Sequence, residues 1–452
     1  MEKNTVNASN AAEYIKKLKK DTELIVLGKL TKFADISEAL EGCKVKVSLD
    51  LSGVEGLSEI EENEIEIYGW CGGSKSLVSI VLPEGLRKIG DGAFANQKSL
   101  VSVKIPKSVK KIGTSAFENC PSLLSLELPD GIKEISRTLL QGCAALKEIT
   151  IPENVTKINK NAFFGCTSLE KITVDKNNKV FDSRESCNAI IETATNTLIC
   201  GCKNTVIPEE IEKIEQNAFK DSFIKEINIP GKVSSISIEA FSNCTSLEKI
   251  IISKGNKTYD SRENCNAIIE TATNTLILGC KNTVIPEEIE KIGKFSFENS
   301  AIKEINISAS VKEISSDAYF GCFSIESIRV VEDNKVYDSR ENCNAIIETA
   351  TNTLVHGCKN TVIPKSVKKI GMQAFAGDMS LTHITIPEGV TEIGEAAFCN
   401  CPLTEIYIPD SVKKVGDGAF INCNKMEKIY LRKGIEKDCY SFRNPGEYIW
   451  RK

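Results

Sequence analysis

Residues 149–172, ITIPENVTKINKNAFFGCTSLEKI, carry the pattern that decides the fold. The pattern recurs along the chain, and its aromatic position falls successively at Phe94, Phe117, Leu140, Phe163, Phe219, Phe241, Phe297, Tyr319 or Phe320, Phe375, Phe398 and Phe420. These positions are separated by 22–23 residues or by close to 56. A fixed period of this size indicates a solenoid, in which each repeat buries its apolar face only against its neighbours. We therefore expect Phe163 to be buried in the wide side of its coil.

Each repeat predicts a short strand, a return segment and a tight turn. Residues 148–151 alternate between polar and apolar, as a strand buried on one face does, and Pro152 ends the strand because proline lacks an N–H for further pairing. The Ala-Phe-x-x-Cys segment then predicts a turn that fills the coil. Seven cysteines follow the aromatic position by three residues and are expected to be small buried apolar side chains: Cys120, Cys143, Cys166, Cys244, Cys322, Cys401 and Cys423.

Composition excludes several classes of protein. The net charge of the 452-residue chain is −5, with both signs mixed, so the basic stripe typical of nucleic-acid binding is missing. No run of about twenty apolar residues predicts a membrane span. The first thirty residues lack the basic start, apolar core and cleavage site of a secretory signal. We therefore expect either a cytoplasmic protein or a surface or secreted one from which a signal has been removed.

We divide the chain into three segments. Residues 1–48 do not fit the repeat and predict a helix from Asn7 or Ser9 through Lys20, a strand at 24–27 and a helix at 34–40, which together would cap the open end of the solenoid. Residues 49–431 form the repeats, with 47–51 as the expected first strand and Trp70-Cys71 in the Ala-Phe position of an early copy. Residues 432–452 leave the pattern and are expected to cap the other end.

Three insertions at about 175–205, 253–283 and 331–361 are close copies separated by 78 residues. Their common sequence is DSRESCNAIIETATNTLICGCKNTVIP at 182–208, DSRENCNAIIETATNTLILGCKNTVIP at 260–286 and DSRENCNAIIETATNTLVHGCKNTVIP at 338–364. Two β-prone runs flank Thr-Ala-Thr-Asn in each copy, which predicts a β-hairpin. We call these segments the first, second and third insertions.

The hairpin turn also predicts cysteine pairs. With the turn centred at 194–195, Glu192 opposes Thr197, Ala189 opposes Cys200, and Cys187 opposes Cys202. Directly opposed residues of an antiparallel pair lie close enough for a disulfide. The three pairs, which we expect to be disulfides in an exported protein and buried thiols in a reducing compartment, are Cys187 with Cys202, Cys265 with Cys280 and Cys343 with Cys358.

The repeat string I-P-x-x-V-x-x-I-G-x-x-A-F-x-x-C-x-S-L-x-x-I, over residues 45–431, resembles the BspA-like, or Treponema pallidum-type, leucine-rich repeats. The insertions are similar to a variant found in many such proteins of gut and oral anaerobes. The resemblance implies a leucine-rich-repeat solenoid, of the α/β class but rich in β structure, forming a right-handed horseshoe with a parallel sheet on one face. It also implies non-catalytic surface proteins linked to adhesion and host-matrix binding.

We find no sequence pattern for catalysis, a metal or a cofactor. The two histidines, His356 and His383, lie in different repeats, so a Cys–His nucleophile pair is not expected. The Cys-x-Cys pairs at 200–202 and 399–401 lack the spacing of zinc knuckles. The Asp-Ser-Arg-Glu of each insertion is either a charged site or, as we favour, a turn in which Asp accepts backbone N–H bonds. We therefore expect no enzymatic activity.

The outward residues of the strands are the candidate binding site, because the core leaves their identity free. Aromatic and arginine side chains are enriched at the residues that dominate interface energies. The candidate partner-binding residues are Lys171, Lys249, Arg329, His383, Glu405, Tyr407, Lys428 and Tyr430. The sequence thus predicts a monomer that binds a protein partner, either as an extracellular adhesin that contacts a host surface or matrix protein, or as an intracellular scaffold.

Overall fold

The computed structural model describes residues 1–61, 75–432 and 447–451, with the backbone alone at 432 and 447–451. Two compact units are present, Met1–Ile224 and Lys225–Lys452. Each is a solenoid of stacked parallel strands with few helices, which confirms the predicted leucine-rich-repeat fold class. Trp70 and Cys71 lie outside the described residues, as does most of 432–452.

In the first unit, the outward strands of successive repeats form one eight-stranded parallel sheet, whose exposed surface we call the strand face. Every pair of neighbouring strands in this sheet runs parallel. Its strands are Glu2–Asn7, Thr22–Lys29, Val47–Glu55, Leu77–Val81, Ser102–Lys104, Ser125–Leu126, Glu148–Ile151 and Lys171–Val174.

The N-terminal segment supplies two strands to this sheet ahead of the one we expected to be first. Glu2–Asn7, which the sequence analysis missed, is the edge strand and pairs along its whole length with Thr22–Lys29. The first helix is shorter than predicted, Ala11–Lys16, because Asn7 caps a preceding 3-10 turn at Ala8–Asn10 through a bond from the Ser9 N–H. The second helix is Ala34–Gly42. The solenoid sheet therefore begins at residue 2 and not at 47.

Two-residue strands in the return segments form a second set of parallel sheets, which we call the short-strand ladder. In the first unit these strands are Glu59–Ile60, Lys88–Ile89, Lys111–Ile112, Glu134–Ile135, Lys157–Ile158 and Lys213–Ile214. In the second unit they are Ser235–Ile236, Lys291–Ile292, Glu313–Ile314, Lys369–Ile370, Glu392–Ile393 and Lys414–Val415. The isoleucine or valine of each points into the core, and most are nearly fully buried.

The strand face of the second unit consists of three separate sheets because insertions interrupt it. Glu226–Ile229 pairs with Lys249–Ile252, and Glu304–Ile307 pairs with Ser327–Val330. The last sheet contains Glu405–Tyr407, Lys428–Arg432 and Glu447–Arg451, so the C-terminal segment contributes a parallel strand to it.

Each insertion contains a hairpin that joins the short-strand ladder, which confirms the three predicted hairpins. In the first insertion, Ala189–Glu192 pairs antiparallel with Thr197–Gly201, and the latter pairs parallel with Lys213–Ile214. A short strand and a 3-10 turn precede each hairpin: Phe181–Asp182 and Arg184–Ser186, Tyr259–Asp260 and Arg262–Asn264, Tyr337–Asp338 and Arg340–Asn342. The other hairpins are Ala267–Glu270 with Thr275–Gly279 and Ala345–Glu348 with Thr353–Gly357.

An asparagine fixes the start of each insertion. The Asn178 amide donates to the carbonyls of Pro152 and Val155 at 2.8 and 2.9 Å, and its oxygen accepts from the N–H groups of Val180 and Phe181. All four bonds are made to backbone groups, so the asparagine ties the entry of the insertion to the preceding repeat. The same bonds recur at Asn256 and Asn334.

The aromatic and cysteine positions build the core of the coil. Rings of neighbouring repeats stack, as in Phe94 on Phe117 with centroids 5.4 Å apart. The cysteine three residues later donates its S–H to the carbonyl of the preceding aromatic position, as Cys120 does to Phe94 at 3.1 Å. Burial raises the pKa of these thiols, that of Cys143 to about 12. The same S–H bond is made by Cys143, Cys166, Cys322, Cys401 and Cys423.

The turn between those two positions has a left-handed backbone, which explains its composition. The residue before the cysteine position has φ of 54° at Asn119 and 75° at Gly142. Glycine adopts this conformation without a Cβ clash, and asparagine is the side chain that best tolerates it. The alternation of asparagine and glycine at this position therefore follows from the backbone of the turn.

Candidate binding surfaces

Two of the predicted binding lysines are engaged in ion pairs with the neighbouring repeat. Lys171 Nζ lies 3.8 Å from Glu148 Oε2, and Lys249 Nζ lies 2.9 Å from Glu226 Oε1. These partners are directly opposed in the parallel register, so the pairs follow from the repeat itself. Exposed ion pairs of this kind contribute little stability, because holding two long side chains in one geometry costs entropy. Arg329 is also exposed and lies opposite Asn306.

The structure brings the remaining predicted residues together in the second unit. Tyr407 opposes Tyr430, and Glu405 opposes Lys428, on adjacent strands. Tyr407 is 47% exposed, and both charged side chains face solvent. His383 is exposed beside them, where its Nε2 lies 3.3 Å from the Thr404 hydroxyl. We call His383, Glu405, Tyr407, Lys428 and Tyr430 the C-terminal cluster.

The Asp-Ser-Arg-Glu sequence of each insertion forms an internal clamp. Arg184 Nε and Nη2 donate to the two Asp182 oxygens at 2.8 and 2.6 Å, and Arg184 Nη1 donates to Asn196 in the hairpin turn. The Arg184 N–H also bonds Asp182, as the favoured turn interpretation predicts. Burial raises the pKa of Asp182, but the bonds from Arg184 and Thr193 outweigh it and leave this pKa below its ordinary value. The charges of Asp182 and Arg184 are thus paired with each other within the turn.

The predicted hairpin register is correct near the turn and wrong beyond it. Glu192 opposes Thr197 as expected, but a bulge between Ile190 and Ile191 places Ala189 opposite Gly201 instead of Cys200. The same bulge occurs in the other two insertions. It coincides with three consecutive buried residues, Ala189, Ile190 and Ile191, which a regular strand with one face in solvent would not show. The direct opposition inferred for Cys187 and Cys202 therefore loses its basis.

The six insertion cysteines are buried free thiols in this structure. Cys187 donates to the carbonyl of Ala189, and Cys202 to that of Asn188, so both contact the same short segment. Burial raises the pKa of Cys187 to about 11, although its hydrogen bonds act in the opposite direction and lower it. In the second insertion, Cys265 lies near enough to Cys280 to help raise the pKa of its thiol, after the larger effect of burial.

Phe163 is only half-buried, contrary to prediction, because it borders a cavity of about 260 Å³ beside the first insertion. Ile158, Ile199 and Cys200 also line this cavity. A second cavity of about 310 Å³ lies at the corresponding place beside the second insertion. Sequence reasoning missed both, although one signal was present. The nearly identical insertions differ at a lining position that is Cys200, Leu278 and His356 in turn.

In the third insertion this lining position is filled by an aromatic pair. The His356 ring packs on Tyr319 with centroids 4.9 Å apart. Both side chains are buried, and burial lowers the pKa of His356 to about 3. Tyr319 itself stacks on Phe297 at 5.1 Å.

Two searches of the described residues complete the survey. Over 1–61, 75–432 and 447–451, no three His, Cys, Asp or Glu side chains are grouped to hold a metal ion. Within the same residues, no helix has both the length and the apolar character needed to cross a membrane.

Solved structures of bacterial leucine-rich repeat proteins are similar to this chain. A leucine rich cell surface protein of Faecalibacterium prausnitzii A2-165 is 26% identical over 82% of each chain, with a TM-score of 0.42. A leucine-rich repeat protein of Bacteroides ovatus is 23% identical over 95% of this chain and 84% of its own, with a TM-score of 0.36. The T. pallidum leucine-rich repeat protein is 21% identical over 45% of this chain and 78% of its own, with a TM-score of 0.30.

No curated protein sequence matches the chain significantly. The family model described as the BspA type leucine rich repeat region, in six copies, matches residues 63–190, 197–275, 268–355 and 354–444. These matches cover most of the chain and extend into all three insertions, which confirms the resemblance seen in the sequence. This protein therefore belongs to the BspA-type leucine-rich repeat family.

Proposed function

We propose that this protein is a non-catalytic binding module that contacts another protein through the C-terminal cluster. The observation that carries the proposal is the Tyr407–Tyr430 pair, which lies in register on adjacent strands with Glu405 and Lys428 alongside. Tyrosine supplies a large contact area with a polar tip and is enriched where interface energy concentrates. Charged groups at the border of such a patch increase the association rate and the selectivity for a partner.

The other candidate residues are secondary contacts in this proposal. Lys171 and Lys249 are exposed but already paired with glutamates of the neighbouring repeat. A partner would have to replace those ion pairs, which limits the net gain from each lysine. Arg329 is exposed and is an additional contact of the second unit.

We further propose that the protein acts outside the cell as a monomeric adhesin that binds a host surface or matrix protein. Membership of the BspA-type family supports this role, since the resemblance implies surface display and adhesion. An intracellular scaffold is the alternative. Sixteen of the described cysteines are free thiols, which favours a reducing compartment. The redox state of the insertion cysteines separates the two. A disulfide between Cys265 and Cys280 in non-reduced peptides of the native protein would favour export.

The binding role is tested with a double variant, Tyr407→Ala with Tyr430→Ala. Binding to a panel of purified extracellular-matrix proteins is measured on a biosensor, and the double variant is expected to weaken it by at least about tenfold. The matched control is Thr150→Ala with Thr173→Ala, another pair opposed across adjacent strands, whose hydroxyls lie 2.7 Å apart. Equal binding by wild type and the tyrosine variant would contradict the proposed site, and no binding to any matrix protein would contradict the adhesin role.

A further inference from the structure

The two cavities arise where an insertion meets the repeat that follows it. In the first, Phe163, Ile158 and Ala162 line the cavity from the preceding repeat, and Ile199 and Cys200 line it from the hairpin. Gly201 completes the junction, because a Cβ there would lie 2.3 Å from Cε1 of Phe219. The hairpin therefore approaches the next aromatic position as closely as the backbone allows, and the remaining space lies on the Phe163 side.

Polar groups in the first cavity are not satisfied by protein contacts. Ser222 is 8% exposed and its hydroxyl has no hydrogen-bond partner among the described residues. Within that same part of the chain, Asn217 Oδ1 is also buried without a donor. Both residues line the cavity. Buried polar atoms are normally paired, so this pattern suits a molecule that brings a hydrogen-bonding group of its own.

The charge around the first cavity indicates a neutral occupant. Lys160 and Lys220 line it together with Glu215 and Asp221, so positive and negative side chains balance. Lys220 Nζ also lies 4.9 Å from the centre of the Phe164 ring, a cation–π contact at the cavity wall. A strongly charged ligand would meet a repulsive group on one side or the other.

The third insertion shows what kind of group fits this place. There the imidazole of His356 occupies the position of Cys200 and packs on Tyr319, the counterpart of Phe163. In the first insertion the small thiol leaves the Phe163 ring half-exposed. A cavity of about 150 Å³ is known to bind benzene, so the roughly 260 Å³ found here accommodates one or two fused rings.

We propose that the first and second insertions each form a binding site for a small neutral aromatic molecule that carries a hydrogen-bonding group, such as an indole or a phenol. In the first site the ligand ring packs on Phe163, and its polar group bonds Ser222 or Asn217. In the second site the corresponding ring is Phe241, and the buried Ser296 hydroxyl, unpaired within the described residues, lines the cavity. His356 takes the place of the ligand in the third insertion.

The test follows the methyl signals of isoleucine-labelled protein during titration with indole. Saturable shifts are expected at Ile158 and Ile199 of the first site and at Ile236 and Ile277 of the second. Cys200→His introduces the histidine of the third insertion and is expected to weaken binding at the first site by at least about tenfold. The second site serves as the control within the same molecule, since its methyl shifts should persist.

The reverse variant, His356→Cys, keeps the proposal testable if Cys200→His does not fold. It removes the imidazole from Tyr319 and is expected to add an indole-dependent shift at Ile314, the counterpart of Ile158 and Ile236. Shifts at Ile158 and Ile199 that are equal in wild type and Cys200→His would overturn the proposal. So would the absence of any shift at these methyls in wild type, or an unchanged Ile314 signal in His356→Cys.

Discussion

The first and third insertions have almost the same sequence but differ in what they enclose. In both, an arginine closes on an aspartate and reaches the asparagine of the hairpin turn, and Asn178 or Asn334 holds the entry. The first leaves a cavity beside Phe163, whereas the third fills the place with His356. The polar network therefore holds the same backbone in both, while in the third insertion an aromatic side chain at one lining position packs on the neighbouring ring. Such a scaffold can change its interior without changing its fold.

The largest expected difference is in the stability lost when the ring beside each insertion is removed, Phe163 at the first and Tyr319 at the third. Tyr319→Ala should lower the free energy of unfolding by about 3–5 kcal/mol, because the ring is 1% exposed and packed on both sides. Phe163→Ala should cost roughly half as much, since part of its ring is already in contact with solvent. Chemical denaturation followed by circular dichroism measures both. Equal losses would mean that Phe163 is as well packed as Tyr319.

A smaller effect is expected from acid, and it concerns the third insertion alone. Burial lowers the pKa of His356 to about 3, below the ordinary value of about 6.5. Between these values the unfolded chain binds a proton that the folded protein does not. Stability from this group should therefore fall as the pH drops from about 6.5 towards 3, by up to about 1.4 kcal/mol per pH unit.

His356→Leu, which places the residue of the second insertion at this position, is the matched control for the acid effect. Unfolding free energies of wild type and variant are compared between pH 3 and 8. The variant should lose stability less steeply below pH 6.5, and the two curves should run parallel above pH 7. Parallel curves over the whole range would show that His356 is not held neutral.

The smallest expected effect comes from one hydroxyl. Tyr337 in the third insertion accepts a bond from the Ile314 N–H at 3.1 Å, and Tyr259 does the same for Ile236 in the second. The first insertion has Phe181 instead. Tyr337→Phe should cost about 0.5–1.5 kcal/mol, and Phe181→Tyr should add a similar amount by supplying a partner near Ile158. Thermal and chemical denaturation test the pair of variants, and a stability loss in Phe181→Tyr would contradict the equivalence of the two positions.

The sequence predicted the fold well because its signals are repeated. The spacing of Phe94, Phe117 and their counterparts defined the solenoid, and the Thr-Ala-Thr-Asn turns defined the hairpins. Glu2–Asn7 was missed because its largely exposed residues give no apolar alternation, and only the adjacent strand reveals it as an edge. The bulge at Ile190 was missed because counting outward from the turn to find opposed residues assumes a regular ladder. The available signal was three consecutive apolar residues, Ala189 to Ile191.

The candidate site was predictable only in part. The pattern of one strand shows which side chains are exposed, whereas their neighbours depend on how two strands pair. Alternation along a strand pointed to Tyr407 and Tyr430, and the 23-residue spacing between them predicts their opposition. The ion pairs of Lys171 and Lys249 follow from the same spacing and were overlooked. The cavities depend on how closely Gly201 approaches Phe219, which no local pattern reports.

The buried cysteines have a practical consequence for following the protein in time. The thiols of Cys120, Cys143, Cys401 and Cys423 are buried, and each donates its S–H to a carbonyl of the preceding repeat. Burial raises the pKa of Cys143 to about 12. An alkylating reagent reacts with the thiolate, so these positions should be modified only when their coil opens. Mass spectrometry of peptides from timed alkylation would then give an opening rate at each of Cys120, Cys143, Cys401 and Cys423. The native cysteines would thus report the local opening rate of individual repeats without any added label.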